Sequence, residues 1–140
     1  MRLVLDTNVL ISAFLWQKDL KLIYQAIRSK KITPCFTQTT WQEFLRALSY
    51  PKLKKQLSEI DITPDEIIKL LASQSYFVSS SLQLNEIPED PSDNHILACA
   101  ISSGASFIIS GDKHLLKLKE FHGISILSPK QFLQKYMKRK

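Results

Sequence analysis

The sequence predicts an α/β fold of three layers, with a central, mainly parallel β-sheet held between helices. Three observations carry that prediction. Short apolar, β-branched runs alternate along the chain with segments of helical periodicity. The first run, residues 2–5 with Leu3-Val4-Leu5 in succession, is apolar at consecutive positions, as a strand buried on both faces requires. The 140 residues also contain no internal repeat, no low-complexity tract and only three glycines, so the chain reads as one continuous domain over residues 1–140.

The elements follow in order. After the strand at 2–5, Asp6-Thr7-Asn8 leads into an apolar segment that can be helical from Val9 onward. Asp19 to Lys30 carries Leu20, Ile23, Tyr24 and Ile27 at helical spacing, and a second strand is expected at Ile32 to Phe36. Thr40 to Leu48 places Trp41, Phe44, Leu45 and Leu48 on one helical stripe. Thr63-Pro64-Asp65-Glu66 marks another helix start, with a capping threonine, a proline at the first helical position and a glutamate able to reach back to the cap. Phe77-Val78 is a short strand candidate. Asp93 to Ser102 is helical through Ile96, Leu97, Ala100 and Ile101, with Gly104 as its stop. Phe107-Ile108-Ile109 and Ile124 to Leu127 are two further strands, and Ser128-Pro129 opens a terminal helix through Phe132, Leu133 and Tyr136.

The hydrophobic fraction of 44% and the charged fraction of 23% match folded globular proteins and exclude a disordered chain. The N-terminal apolar run is too short for a secretory signal or a membrane span, so a cytoplasmic protein with no membrane partner is expected. Cys35 and Cys99 stand alone in apolar surroundings and are expected to be small buried hydrophobes. The net charge of +6 favours polyanionic partners. It gathers in three groups, around Lys18 to Lys31, at Arg46 to Lys55, and at Lys135 to Lys140. A solvated helix face accounts for each group as well as nucleic acid does.

In open parallel sheets, ligands bind beyond the carboxyl ends of the strands, so an acid just after a strand is a candidate site residue. Asp6 follows Leu3-Val4-Leu5, and Asp112 follows the strand at 107–109 through Ser110 and Gly111. Each has an ordinary alternative as a helix cap: Asp6 for a helix at Val9, Asp112 for one from Lys113 to Leu118. Glu43 fits a capping box with Thr40, and Asp93 sits at the third position of a helix opened by Asp90-Pro91-Ser92. Capping does not exclude a second role, since a carboxylate at a helix N-terminus still offers oxygens to a cation. Four helix starts carrying acids in a basic protein call for more than capping.

Leu5-Asp6-Thr7-Asn8-Val9-Leu10-Ile11-Ser12 resembles the opening signature of PIN domains, particularly the toxin components of toxin–antitoxin systems. Glu43, within Trp41-Gln42-Glu43-Phe44-Leu45 and followed by Pro51-Lys52-Leu53, is similar to the family's second acid. Asp90-Pro91-Ser92-Asp93-Asn94 resembles the third acid's surroundings, and Ser110-Gly111-Asp112-Lys113 the fourth's. The resemblance covers essentially the whole chain. It implies a PIN-like fold and a metal-dependent ribonuclease with Asp6, Glu43, Asp93 and Asp112 as catalytic and metal-binding residues, Asp112 standing farthest from the ion. Asn8 and Ser110 would support them by holding water or phosphate, and Asp90, also a supporting residue, could share the role of Asp93. In-line attack by water on RNA would leave a 5′-phosphate and a 3′-hydroxyl.

Clustered carboxylates repel one another unless a cation neutralises them, and all-oxygen ligands suit Mg²⁺ or Mn²⁺. Zinc is not expected, because His95, His114 and His122 are scattered and neither cysteine is near the acids. All three histidines are read as surface residues; His95 and His114 each follow an acid closely and would be rotated away from it on a helix. Arg46, three residues beyond Glu43, is the expected RNA phosphate contact. The implied partners are the RNA substrate, a cognate antitoxin inserting Arg or Lys among the acids, and a second copy of the chain in a homodimer. Tyr24 and Trp41 can supply a dimer surface but suit core packing better.

A phosphatase of the haloacid dehalogenase kind would want a second acid two residues after Asp6, where Asn8 stands. A receiver domain would want paired acids before its first helix. An inactive RNA-binding or scaffold protein on the same fold is the non-enzymatic alternative, distinguished by failure of the four acids to assemble.

Overall fold

A computed structural model describes residues 1–15 and 20–136. Strand β1 (Arg2–Leu5) lies at the centre of a sheet, parallel to β2 (Thr33–Phe36) on one side and to β4 (Phe107–Ile109) on the other. Short β3 (Tyr76–Phe77) extends the sheet beyond β2, and β6 (Ile124–Leu127) beyond β4, both in parallel. The edge strand β5 (Glu120–Phe121) alone pairs antiparallel, with β6, giving the order β3-β2-β1-β4-β6-β5 among the described residues. The expected mainly parallel sheet is present.

Alternation along the strands makes two cores, one on each face. Leu3, Leu5 and Ile109 point into the larger, which is filled by α1 (Thr7–Phe14), α2 (Lys21–Arg28), α3 (Gln38–Leu48), α4 (Pro51–Glu59), α5 (Pro64–Gln74) and α8 (Pro129–Tyr136). Val4, Ile108 and Ile126 point into the smaller, covered by α6 (Pro91–Ser103) and α7 (Lys113–Leu118). Helices therefore flank the sheet on both sides, as expected. Cys35 and Cys99 are buried in the smaller core as free thiols, and burial pushes the Cys99 thiol up to about 11.

Several boundaries differ from the sequence expectation for physical reasons. Helix α1 begins at Thr7 rather than Val9. Helix α3 starts earlier than Thr40, because Thr37 accepts from the Thr40 amide while the Thr40 hydroxyl accepts from the Thr37 amide. That reciprocal pair is the capping box, so the one expected between Thr40 and Glu43 does not exist and Glu43 is released from capping. Helix α4 was not foreseen: it starts at Pro51 and buries only Leu53 and Leu57, too sparse a stripe to stand out. Strand β3 lies one residue before Phe77-Val78, and the two-residue β5 carries no readable alternation. Asp19, and the basic residues Lys18, Lys138, Arg139 and Lys140, lie outside the described residues. Gly104 ends α6 as expected, at φ 66°, a left-handed conformation that glycine adopts without strain.

The topology decides where the acids go. Leu5 pairs with Ile109, and the Asp6 amide donates to the Ile109 carbonyl at 2.9 Å. Asp6 and Ser110 thus leave adjacent strands side by side. From β1 the chain proceeds to β2 on one side, whereas β4 lies on the other, so this is the switch point at which open α/β sheets leave a crevice.

Candidate functional site

Asp6 occupies the N-cap position of α1, yet its side chain makes no capping hydrogen bond. The buried Ser110 hydroxyl donates to Asp6 Oδ2 at 2.7 Å and accepts from the Asp112 amide at 2.9 Å. One hydroxyl therefore ties together the two segments that carry Asp6 and Asp112. Burial raises the Asp6 carboxyl above its ordinary range; the Ser110 hydrogen bond and the Asn8 and Thr7 amides oppose this, and the charge of Asp112 adds to it.

Asp93 lies one turn into α6, after Asp90 has capped the helix by accepting from the Ser92 and Asp93 amides. It is 4% exposed, and its Oδ2 has no hydrogen-bond partner. A buried carboxylate oxygen without a donor is costly in the ionised form. Burial first, then a hydrogen bond to the Asp112 carboxyl that only the protonated form can make, then the charges of Asp112, Asp90 and Asp6 raise its pKa to about 7, so it is the ionised form that lacks a partner. Asp112 caps α7, its Oδ1 accepting from the His114 amide at 2.7 Å and the Leu115 amide at 3.4 Å. Asp93, Asp112 and His114 can each present a ligand atom within 4.8 Å of the others. Asp112, the acid expected to stand farthest from an ion, belongs to this compact group.

Glu43 reaches the site from α3, and both of its oxygens are engaged by α6. The Ser92 hydroxyl donates to Oε2 at 2.8 Å, and His95 Nδ1 lies 3.2 Å from Oε1. Asp6, Glu43, Asp93 and Asp112 line a single cavity of about 290 Å³, together with Asn8, Asp90 and Arg46. Arg46 is exposed at the rim and has no ion-pair partner among the described residues. Ser110 lies beneath the cavity and acts on it through Asp6 and Asp112.

A family profile described as a PIN domain matches residues 2–114, most of the chain. The chain belongs to the PIN-domain family. Among solved structures, this PIN domain is similar to VapBC2 from Rickettsia felis bound to a DNA fragment from their promoter. That likeness covers 91% of this chain and 98% of the other at 16% identity, with a TM-score of 0.55, and is a likeness of fold. No curated protein matches the chain.

Family membership makes a divalent ion the expected occupant, and the residues fit one. The donor set is rich in carboxylate oxygens, their mutual repulsion needs a positive charge, and the Asp93 Oδ2 lacks a partner that a cation would supply.

His95 and His114 keep much of the surface exposure expected of them, yet both reach acids, which was not expected. His95 is turned away from Asp93, as adjacent helical residues must be, but that rotation brings it to Glu43 on the facing helix. His114 returns to Asp112, with Nδ1 3.6 Å from Oδ1, because Asp112 is a cap outside the helix and not a helical neighbour. Ser92 was passed over as part of a helix start. The contacts of Ser92 and His95 with Glu43 have no local sequence signal, since they span 49 and 52 residues. His122 is exposed, as expected. Trp41 packs edge-on against Phe36 with ring centroids 4.9 Å apart, and Tyr24 against Phe14 at 5.4 Å, so both serve the core.

Proposed function

We propose that this PIN domain is a metal-dependent endoribonuclease that hydrolyses RNA phosphodiester bonds, acting as the toxin of a toxin–antitoxin pair in the cytoplasm. The observation that carries the reading is the convergence of four acids from distant parts of a basic chain on one cavity with an unpaired arginine at its rim. In this reading Asp6, Glu43, Asp93 and Asp112 hold Mg²⁺ or Mn²⁺. When bound, such an ion supplies positive charge to the phosphate and makes water a stronger nucleophile near neutral pH.

The remaining roles fall to the protein's own groups. Ser110 fixes Asp6 by donating to its Oδ2. Ser92 and His95 hold Glu43 in one orientation, and Asp90 secures the helix turn that presents Asp93. Asn8, exposed on the cavity wall, orients water or a phosphate oxygen. Arg46 attracts the RNA backbone and positions the scissile phosphate by a charge-assisted hydrogen bond. Attack in line with the leaving oxygen gives a 5′-phosphate and a 3′-hydroxyl.

A protein partner is part of the proposal. The structure of similar fold was solved as a VapBC2 assembly on promoter DNA. An antitoxin that lays an Arg or Lys among the four acids would neutralise them without metal and block RNA entry. A homodimer would bring two such sites together.

The test is cleavage of a structured RNA pool by the purified protein with Mn²⁺, with and without chelator, for wild type and Asp6→Asn. Cleavage by wild type alone, abolished by chelator, is expected. Equal cleavage by both proteins would overturn the metal-nuclease reading.

A further inference from the structure

We infer that His114 is a direct metal ligand, so that the site takes a transition-metal divalent ion such as Mn²⁺ in preference to Mg²⁺. This rests on the metal-nuclease reading above and adds an imidazole nitrogen to its oxygen set. The geometry points to it from two independent sides. His114 belongs to the group of three residues whose ligand atoms lie within 4.8 Å of one another, with Asp93 and Asp112. The second observation is the unpartnered Oδ2 of Asp93, on a side chain only 4% exposed.

The imidazole lies beside the cavity rather than in its lining and turns a nitrogen towards each of two acids. Its Nδ1 side faces Asp112, 3.6 Å from Oδ1, and its Nε2 side faces the exposed carboxylate of Glu89 at 3.7 Å. A ligating histidine commonly turns its other ring nitrogen towards a carboxylate, which selects the tautomer and makes the ligating nitrogen more basic. Glu89 favours the proton on Nε2 and leaves the Nδ1 lone pair towards the acids. Asp112 Oδ1 is already taken by the His114 and Leu115 amides, which leaves Oδ2 as its free donor.

The ion's identity follows from ligand chemistry. Mg²⁺ prefers all-oxygen shells and retains its waters, whereas imidazole suits first-row transition ions. A carboxylate site joined by one imidazole therefore binds Mn²⁺ more tightly than Mg²⁺, and Co²⁺ more tightly still along the usual order of affinities.

The experiment uses the whole protein and reads the ion directly. Mn²⁺-loaded wild type, prepared unlabelled and with ¹⁵N only in histidine, is compared by electron spin-echo modulation; a nitrogen coupling that changes with the label is expected. Calorimetric titration with Mn²⁺ and Mg²⁺ is then run on wild type, His114→Gln and Asp93→Asn. Loss of an outer-shell partner already costs about tenfold to a hundredfold in metal affinity, so His114→Gln is expected to weaken Mn²⁺ by at least about tenfold. Mg²⁺ affinity should change far less. Absence of a histidine coupling in wild type, or unchanged Mn²⁺ affinity in His114→Gln, overturns the inference. If Asp93→Asn abolishes Mn²⁺ binding while His114→Gln does not, the carboxylate site stands and only the histidine ligand falls. If Asp93→Asn also leaves Mn²⁺ binding intact, the broader reading fails with it.

Discussion

The starts of α1 and α6 look alike in sequence and behave differently in the fold. Each has an aspartate at the N-cap position, Asp6 and Asp90 respectively. Asp90 gives a carboxylate oxygen to the first-turn amides of its helix. Asp6 makes no side-chain capping hydrogen bond; the neighbouring Asn8 and Thr7 amides only help to favour its charged form, and its hydrogen-bond donor is Ser110, a residue 104 positions away in sequence. A carboxylate held chiefly by a distant hydroxyl keeps more oxygen capacity for a ligand than one closed onto amides of its own helix. The difference is set by strand pairing, since Leu5 and Ile109 are partners and deliver Asp6 and Ser110 together.

The largest expected effect therefore belongs to Asp6→Asn. The loss of one ion-holding carboxylate is expected to reduce RNA cleavage by about 10³-fold, several kcal/mol of barrier at about 1.4 kcal/mol per tenfold. The midpoint of thermal unfolding should hold or rise, because a partly buried charge is removed and the amide can still accept from Ser110. Single-turnover cleavage and a thermal melt check the two halves. A fall in stability with cleavage retained would show that Asp6 is a cap after all and erase the contrast with Asp90.

Proton competition at Asp93 comes next. Its carboxyl is raised from 3.8 to about 7 in the fold, so between those values the folded chain holds a proton that the unfolded chain has released. This contribution to metal-free stability is fully present below 3.8 and is lost as pH rises through about 7. A divalent ion binds the ionised form and takes the proton's place. The rise in melting temperature on adding Mn²⁺ should accordingly be larger at about pH 8 than at about pH 5, and Asp93→Asn should flatten the difference. An equal rise at both values would mean that the ion does not engage Asp93.

What was legible in the sequence divides along the same line. The central strands were readable because each is an uninterrupted apolar run, and Gly104 because a helix end needs a left-handed residue. Asp6, Asp93 and Asp112 stood out as candidates because each follows a strand or opens a helix, whereas Glu43, inside α3, stood out only by its resemblance to the family's second acid. Their partners did not. Whether Glu43 caps or faces the cavity depends on Thr37 displacing Thr40 as the cap, a shift of three residues that helix periodicity tolerates. The grip of Ser92 and His95 on Glu43 depends on α3 and α6 lying side by side, a fact of packing with no period to betray it.

Asp90→Ala should act mainly on stability. Removing a capping aspartate typically costs about 1 kcal/mol, read as a lowered midpoint in urea with an unchanged slope. Cleavage should fall only a few-fold, by loosening the turn that presents Asp93. A collapse as deep as that of Asp6→Asn would place Asp90 among the ion-holding acids.

The smallest effect sharpens the comparison most. Asp90→Ser removes the charge but leaves a side-chain oxygen that caps a helix about as well, within a few tenths of a kcal/mol. If Asp90 serves only the helix start, this variant keeps both the stability and the cleavage rate of wild type. The charge of Asp90 also contributes to raising Asp93, so its removal should let Asp93 ionise at a slightly lower pH. Cleavage at mildly acidic pH should then rise modestly relative to wild type, while the rate at alkaline pH stays the same. A rate that falls across the whole pH range in Asp90→Ser, with stability intact, would mean that Asp90 acts on the ion or the RNA through its charge, and the starts of α1 and α6 would be alike in function as well as in sequence.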